Sequence, residues 1–184
     1  MKKICKVLFT LSICLILVGC GCMKKTAKGA VEDYLNQYKN LGSNVLSDME
    51  SVINEENLTD NQKEVYRDAL KRQYQDLKYE IVSEKYDGDN ATVEAKITVY
   101  DFYKVQKEST EYLNNNTDEF KENGVYSGNL FMNYKLDKMK KITDTVDYNI
   151  TFSVTKDDNG NYKVVDLSTE DLEKIHGIYN YDTD

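Results

Sequence analysis

Apolar residues recur at helical spacing in the first part of the chain that follows residue 26. Between residues 26 and 42 they occur every three or four positions, which predicts one face of an amphipathic helix with Gly42 placed to end it. A second, shorter stripe predicts another helix over residues 45–53. The first stripe consists of Ala27, Ala30, Val31, Tyr34, Leu35, Tyr38 and Leu41.

A third helix is predicted by its start signal as well as by its spacing. Thr59 and Gln62 stand at the positions of a capping box, in which each side chain binds a backbone N–H of the first turn. Apolar residues then continue at helical spacing from Val65 to Leu77. The N-terminal part of the domain is therefore predicted to consist of helices.

The spacing changes to two at the end of this third stripe. Leu77, Tyr79 and Ile81 alternate with polar residues, residues 87–90 have the composition of a turn, and residues 91–99 alternate without a break. This pattern predicts a β-hairpin with one buried face, because successive side chains of a strand point to opposite sides.

A second hairpin is predicted near the end of the chain. Residues 146–154 alternate, residues 157–161 form a turn, and the chain returns through a strand at 162–167. Ser168 or Thr169 is placed to cap a last short helix, which Gly177 is placed to stop.

Residues 104–142, between the hairpins, are predicted to be helical but have weak periodicity. Asn114 to Asn116 interrupt them, and the apolar residues between Leu130 and Met139 are distributed around the helix. Such a helix either packs on two sides or offers apolar surface to a partner, and packing is the favoured interpretation.

This order of elements predicts an α+β fold in one domain over residues 26–184. N-terminal helices would pack on a curved antiparallel sheet built of two hairpins, with a helical insert between them. The arrangement, with its closing strand at 162–167, resembles the nuclear-transport-factor-two-like (cystatin-like) superfamily over residues 26–168. The resemblance implies a cone-like shape but no particular function, since such folds host unrelated activities.

The first twenty residues have the three parts of a secretory signal. Three lysines precede an apolar stretch from Val7 to Val18, which at about 18 Å is too short to span a bilayer as a helix. The sequence Leu17-Val18-Gly19-Cys20 resembles the lipobox of bacterial lipoproteins of the Gram-positive type. The resemblance implies a signal peptide at 1–19, acylation of Cys20 including palmitate, and a tether at 20–25. An ordinary cleaved signal and an uncleaved anchor are the alternatives.

The charge of the chain limits the classes of partner, and the positions of its cysteines limit its disulfides. Without residues 1–19 the chain keeps 21 basic and 32 acidic residues, a formal charge of −11, which disfavours nucleic acid. All 4 cysteines lie at or before Cys22, so the domain must fold without disulfides.

The sequence contains no catalytic grouping and predicts no metal or cofactor. His176 is the only histidine, too few for a zinc site, and its place before Gly177 suggests a favourable interaction with the helix dipole. The acidic turn at 157–161 lacks the terminal glutamate of a calcium loop, because Ser168 is its twelfth residue. We therefore predict a non-enzymatic protein.

Candidates for a pocket come from the resemblance alone. Some relatives place an aspartate and tyrosines in the cone for proton transfer, which would correspond here to Tyr100, Asp101, Tyr103, Tyr148 and Asp166. Core aromatics beside a solvated acid are the favoured interpretation of the same residues.

The predicted function is that of a binding or interaction module anchored to the outer face of the cell membrane through acylated Cys20. Its partner would be an envelope protein or a small ligand, contacted by the insert around Leu130 to Met139 or by the mouth of the cone. The alternatives are a small-ligand pocket with isomerase-like or hydrolytic chemistry, and a purely structural envelope protein.

Overall fold

The computed structural model describes residues 25–183; the predicted signal peptide, Cys20 and Cys22 lie outside the described residues. The helices are α1 (Ala27–Lys39), α2 (Ser43–Glu55), α3 (Asp60–Asp76), α4 (Phe102–Asn115), α5 (Gly128–Lys141) and α6 (Thr169–His176). The strands are β1 (Lys78–Asp87), β2 (Asn90–Tyr100), β3 (Lys121–Glu122), β4 (Val125–Tyr126), β5 (Thr145–Lys156) and β6 (Tyr162–Val164).

The central feature is a four-stranded antiparallel sheet in the order β1-β2-β5-β6, which confirms the predicted α+β class. The two predicted hairpins join along their long strands, with β2 and β5 paired from Asn90 opposite Thr155 to Tyr100 opposite Thr145. A bulge between Ile81 and Ser83 shifts the register of β1, the kind of irregularity that bends a strand.

Within residues 25–183, the helices cover one face of the sheet. Alternate residues of β2 and β5 are buried beneath the helices, and the residues between them are exposed. The exposed set is polar and includes Thr92, Glu94, Asn149 and Thr151. An antiparallel sheet tolerates this arrangement because its period of two places apolar side chains on one face and polar side chains on the other.

Helices α1 and α3 pack on the buried face of the sheet as predicted, and α2 packs on α3; the ends of the elements differ slightly from the prediction. The capping box of α3 is present, with Thr59 and Gln62 bonded reciprocally. Helix α1 ends at Lys39, two residues before the end of the predicted stripe, because Leu41 takes the left-handed conformation (φ 52°), and Gly42 instead precedes α2. The predicted closing strand is shorter, since only Tyr162–Val164 pair with β5.

The helical insert contains an element that the sequence analysis missed. Between α4 and α5 the chain forms a turn of 3-10 helix, Thr117–Phe120, and a hairpin made of β3 and β4. The favoured interpretation of α5 is correct, since the helix packs on both α3 and α4 and buries Leu136 and Met139.

The insert is rooted at the end of the sheet opposite the first described residue. The Lys25 carbonyl accepts a hydrogen bond from the Tyr162 N–H (3.3 Å), which places the start of the domain beside the hairpin turns. The insert leaves the sheet after Tyr100 and returns at Thr145. The 11 residues of β2 separate the two ends by about 33 Å at the usual rise per residue.

Gln73 is a polar residue inside the core, where it extends the hydrogen bonding of β2. Its side chain is fully buried, its Nε2 donates to the Tyr100 carbonyl (3.2 Å), and its Oε1 accepts from the Tyr100 N–H (2.8 Å). A single amide thus satisfies both backbone groups of one residue.

We expect Gln73→Leu to lower the free energy of unfolding by about 2 kcal/mol, because the loss of two satisfied backbone groups outweighs the gain in apolar burial. Gln75→Leu is the matched control, since Gln75 lies on the exposed side of the same helix. Urea unfolding followed by circular dichroism measures both. Equal stability of the two variants would contradict this role for Gln73.

Candidate functional site

The Asp101 carboxylate is buried and has partners on both oxygens. Oδ1 accepts from the Lys104 N–H (2.8 Å) at the start of α4, and Oδ2 accepts from the Tyr181 hydroxyl (3.0 Å). Burial, reinforced by this hydrogen bond, raises the pKa of Tyr181 to about 12. The carboxylate therefore caps a helix and holds the C-terminal segment.

Tyr103 binds the same C-terminal segment one residue further on. Its hydroxyl donates to Asp182 (3.0 Å), which also receives Lys107 Nζ (2.8 Å). The hydrogen bond from Lys107 lowers the pKa of the Asp182 carboxyl. The rings of Tyr103 and Tyr181 meet edge to face with centroids 4.8 Å apart.

The other predicted pocket residues lie elsewhere. Tyr148 is buried on the inner face of β5, edge to face with Tyr179 (5.7 Å). The Tyr100 ring lies under the Arg72 guanidinium (4.0 Å), its hydroxyl donates to Asp76 (2.7 Å), and it borders an open cleft of about 470 Å³.

Asp166 is exposed beyond β6. Burial raises the pKa of Tyr34, and the charge of Asp166 adds to this effect, so the two side chains are neighbours. Of the five predicted residues, the structure therefore brings Asp101, Tyr103 and Tyr148 to the C-terminal segment at residues 179–182. Tyr100 and Asp166 have separate surroundings.

The most exposed apolar pair of the insert lies in the hairpin of β3 and β4. Val125 is 69% exposed and Tyr126 is 49% exposed, next to a turn in which Asn123 and Gly124 both have positive φ. Asn-Gly is the preferred sequence for such a two-residue turn, because neither residue is strained there. In the predicted contact surface between Leu130 and Met139, Leu136 and Met139 are buried and the other apolar side chains are half-buried.

An aromatic cluster beneath this hairpin holds it in place. Phe120 is buried and meets Tyr112, Phe131 and Tyr134 edge to face, with centroids 5.6 to 6.2 Å apart. Tyr112 and Tyr134 are stacked at 4.9 Å, and the Ser127 N–H donates to the Phe120 carbonyl (2.7 Å). The hairpin, residues 121–126, therefore presents its apolar pair from a fixed base; we call it the insert hairpin.

His176 ends α6 as predicted, but its ring does not serve the helix dipole as a charge. The imidazole is directed inward against Tyr74, whose hydroxyl lies 2.9 Å from Nδ1. Burial lowers the pKa of His176 to about 4, so the ring is neutral at pH 7. Gly177 in the left-handed conformation supplies the helix stop.

Residues 25–183 contain neither a cluster of metal-binding side chains nor a helix able to span a membrane. Nowhere in this range do three or more His, Cys, Asp or Glu side chains come together as a metal ion would require. The helices of the same range are each too short or too polar to cross a bilayer.

No protein-family model matches the chain, and no curated protein matches it by sequence. Among solved structures it is similar to YcdA, a candidate lipoprotein from Bacillus subtilis, with a TM-score of 0.48 and 11% identity. The similarity covers 85% of this chain and 56% of that one, so the chain spans little more than half the length of YcdA. The likeness transfers neither a ligand nor a partner.

Proposed function

We propose that the chain is a non-enzymatic, lipid-anchored protein of the outer face of the cell membrane, and that its insert hairpin contacts a protein partner in the envelope. The contact surface is inferred from the exposure of Val125 and Tyr126, which lie next to the aromatic cluster around Phe120. The anchor is supported by the lipobox at Leu17 to Cys20. The resemblance of residues 26–168 to the nuclear-transport-factor-two-like superfamily remains part of this proposal.

The geometry of the domain suits such a tether. Only four residues separate Cys20 from Lys25, where the described domain begins, so the adjacent hairpin turns would lie near the membrane. The insert is rooted at the other end of the sheet. The net negative charge of the domain would also repel anionic headgroups, which leaves the insert accessible to other proteins.

Other exposed apolar side chains do not form an equivalent surface. Among residues 25–183 these are Val52 on α2, Val82 and Tyr86 on β1, and Val165 beyond β6. The Tyr86 ring packs edge to face on Tyr162 (5.6 Å) and its hydroxyl donates to Glu84 (3.0 Å), whereas Val125 and Tyr126 are consecutive residues of β4. Aromatic side chains are enriched where protein partners bind, and isolated surface valines are ordinary. The insert hairpin is therefore the contact surface that we propose.

The anchor is tested by labelling cultures with palmitate. Cys20→Ser should abolish incorporation and release the protein from the membrane fraction, because two acyl chains are needed for stable anchoring. Cys22→Ser, two residues away, should change neither. Label retained by the Cys20→Ser protein, or lost from the Cys22→Ser protein, would contradict the assignment of the acylated residue.

The contact surface is tested by a photo-crosslinking amino acid placed at Tyr126 on intact cells. We expect one dominant protein adduct there and none when the same group replaces Thr151 on the exposed face of the sheet. Val125→Ser with Tyr126→Ser should reduce recovery of the partner by about tenfold without altering stability, whereas the matched Val82→Ser should not. A partner retained by the double variant would exclude the insert hairpin.

A further inference from the structure

A small cavity lies on the side of the helical layer that α2 covers. It has a volume of about 210 Å³ and is lined by side chains of α1, α2, α3 and α6: Tyr38, Val45, Asp48, Met49, Val52, Tyr74, Leu172 and His176. Aliphatic and aromatic groups dominate this lining. Val52 is 45% exposed and Asp48 is exposed, so these two residues mark its mouth. We call it the α2 cavity.

The polar atoms inside the α2 cavity have a defined arrangement. Tyr74 and His176 share a hydrogen bond of 2.9 Å at Nδ1, and Tyr38 packs edge to face on Tyr74 with centroids 5.2 Å apart. Burial raises the pKa of both tyrosines, so their hydroxyls are protonated. The Tyr74 hydroxyl has no other hydrogen-bond partner within residues 25–183, so we assign it as the donor to Nδ1, which places the hydrogen of the neutral imidazole on Nε2.

The Nε2–H of His176 is the donor that this arrangement leaves over. No hydrogen bond within residues 25–183 uses Nε2, and this nitrogen is not among the buried polar atoms that lack a partner there. The nitrogen is therefore accessible, and it belongs to a side chain that lines the α2 cavity. A donor in a mainly apolar site selects ligands that bring an acceptor, since an unpaired polar group is costly to bury.

The Asp48 carboxylate determines which ligand charge the α2 cavity disfavours. Its carboxylate is close enough to act on the pKa of Tyr38, Tyr74 and His176, in each case as a smaller contribution than burial. A negative charge at the mouth disfavours an anionic ligand. A cation would meet the positive end of the Nε2–H dipole inside.

We propose that the α2 cavity binds a small, uncharged and mainly apolar molecule through a single acceptor oxygen that receives the Nε2–H of His176. The cavity volume corresponds to about seven water molecules, so the ligand is smaller than a drug-sized compound. This site is separate from the insert hairpin and stands whether or not that hairpin binds a protein.

The single histidine of the sequence makes the test specific, because ¹⁵N-histidine labelling reports on His176 alone. The full-length lipidated protein in lipid nanodiscs, without a histidine tag, is titrated with 4′-fluoroacetophenone, which carries a carbonyl acceptor. Saturable movement of the Nε2 resonance is expected, together with ¹⁹F broadening beyond that in protein-free nanodiscs.

Two further probes of similar shape separate the effect of the acceptor oxygen from the effect of ligand charge. 1-Ethyl-4-fluorobenzene lacks the acceptor and should bind about tenfold more weakly, the value of one hydrogen bond. 4-Fluorobenzoate should not bind the wild-type protein but should gain affinity for Asp48→Asn. His176→Phe should weaken ketone binding about tenfold in the ¹⁹F measurement.

The proposal is overturned if millimolar ketone leaves the His176 resonance unchanged, or if the ethyl compound binds as tightly as the ketone. It is also overturned if benzoate binds the wild-type protein as well as the ketone does. The wild-type series decides the question even where His176→Phe fails to fold. Because the insert hairpin is intact throughout, failure here does not affect the partner experiment.

Discussion

Replacing Gly177 by alanine should lower the free energy of unfolding by at least about 4 kcal/mol, a large part of what a domain of this size possesses. Gly177 has φ 71°, a conformation that L-residues with a Cβ disfavour. A Cβ there would also overlap the Tyr100 carbonyl oxygen and Gln73 Nε2. Neither neighbour can retreat, because these two atoms are hydrogen-bonded to each other.

The hydrogen bonds of Gly177 explain why this clash would affect several elements of the fold. Its carbonyl accepts from the Tyr103 N–H (2.8 Å), and its N–H bonds back to the last turn of α6. The residue thus joins the end of α6, the end of β2 and the start of α4. Displacement of its backbone would disturb all three, including the Gln73 amide.

Gly88→Ala is the control, because it introduces the cost of the left-handed conformation without a steric clash. Gly88 also has positive φ, at 60°, but a Cβ there would have no neighbour within 4 Å. Its replacement should cost about 1 to 2 kcal/mol, which is the left-handed penalty alone. Urea unfolding of both variants measures the difference, and a loss for Gly177→Ala no larger than that for Gly88→Ala would show that the close contact is unimportant.

The parts of the fold that could be predicted are those in which burial imposes a period. The alternation over residues 91–99 and 146–154 identified β2 and β5, because a one-residue slip would expose every apolar side chain of either strand. The capping box at Thr59 was predictable for a similar reason, since it depends on contacts only three residues apart.

The insert hairpin shows where this reasoning failed. Strands of two residues are too short to display alternation, and the surrounding helices led us to interpret the whole of 104–142 as helical. Asn123-Gly124 was the available signal, since this pair strongly favours a tight hairpin turn. Leu41 gave no such signal, although its positive φ belongs to a local helix end in which the Gly42 N–H donates to the Gln37 carbonyl (2.8 Å).

The candidate site depended on distances that the sequence does not contain. Asp101 was a pocket candidate through the family resemblance alone, whereas its partners are the first turn of α4 and a tyrosine 80 positions away. Gln73 occupies a core position of the α3 stripe, so a buried amide could have been suspected. Its partner, Tyr100, could not have been identified from the α3 pattern.

The second large effect concerns acid. We expect the protein to lose stability as the pH falls from about 6.5 toward 4, because His176 is neutral when folded and binds a proton readily when unfolded. The pKa of His176 is lowered from 6.5 to about 4 by burial, with Asp48 opposing the shift and Tyr38 and Tyr74 packed against the ring. Protonation therefore favours the unfolded chain.

The direction of the stability change and its pH range follow from the difference between the folded and unfolded pKa of His176. The stability that neutral His176 contributes is fully present above pH 6.5. About 2 kcal/mol of the free energy of unfolding is lost at pH 5, and about 3 kcal/mol is lost near pH 4. Paired carboxylates such as Asp147 and Asp157 have a lowered pKa and lose their contribution at lower pH, as their folded-state values are approached. They affect wild-type and variant proteins alike.

His176→Gln isolates the effect, because the amide oxygen can still accept from the Tyr74 hydroxyl but does not titrate. Between pH 7 and 5 the wild-type free energy of unfolding should fall, while that of the variant stays nearly level, so the two curves converge. ¹⁵N-histidine NMR should show the ring neutral down to pH 5 in the folded protein. Parallel curves, or titration of the folded ring near 6.5, would mean that His176 is as accessible to protons as a surface histidine, and would contradict its burial against Tyr38 and Tyr74.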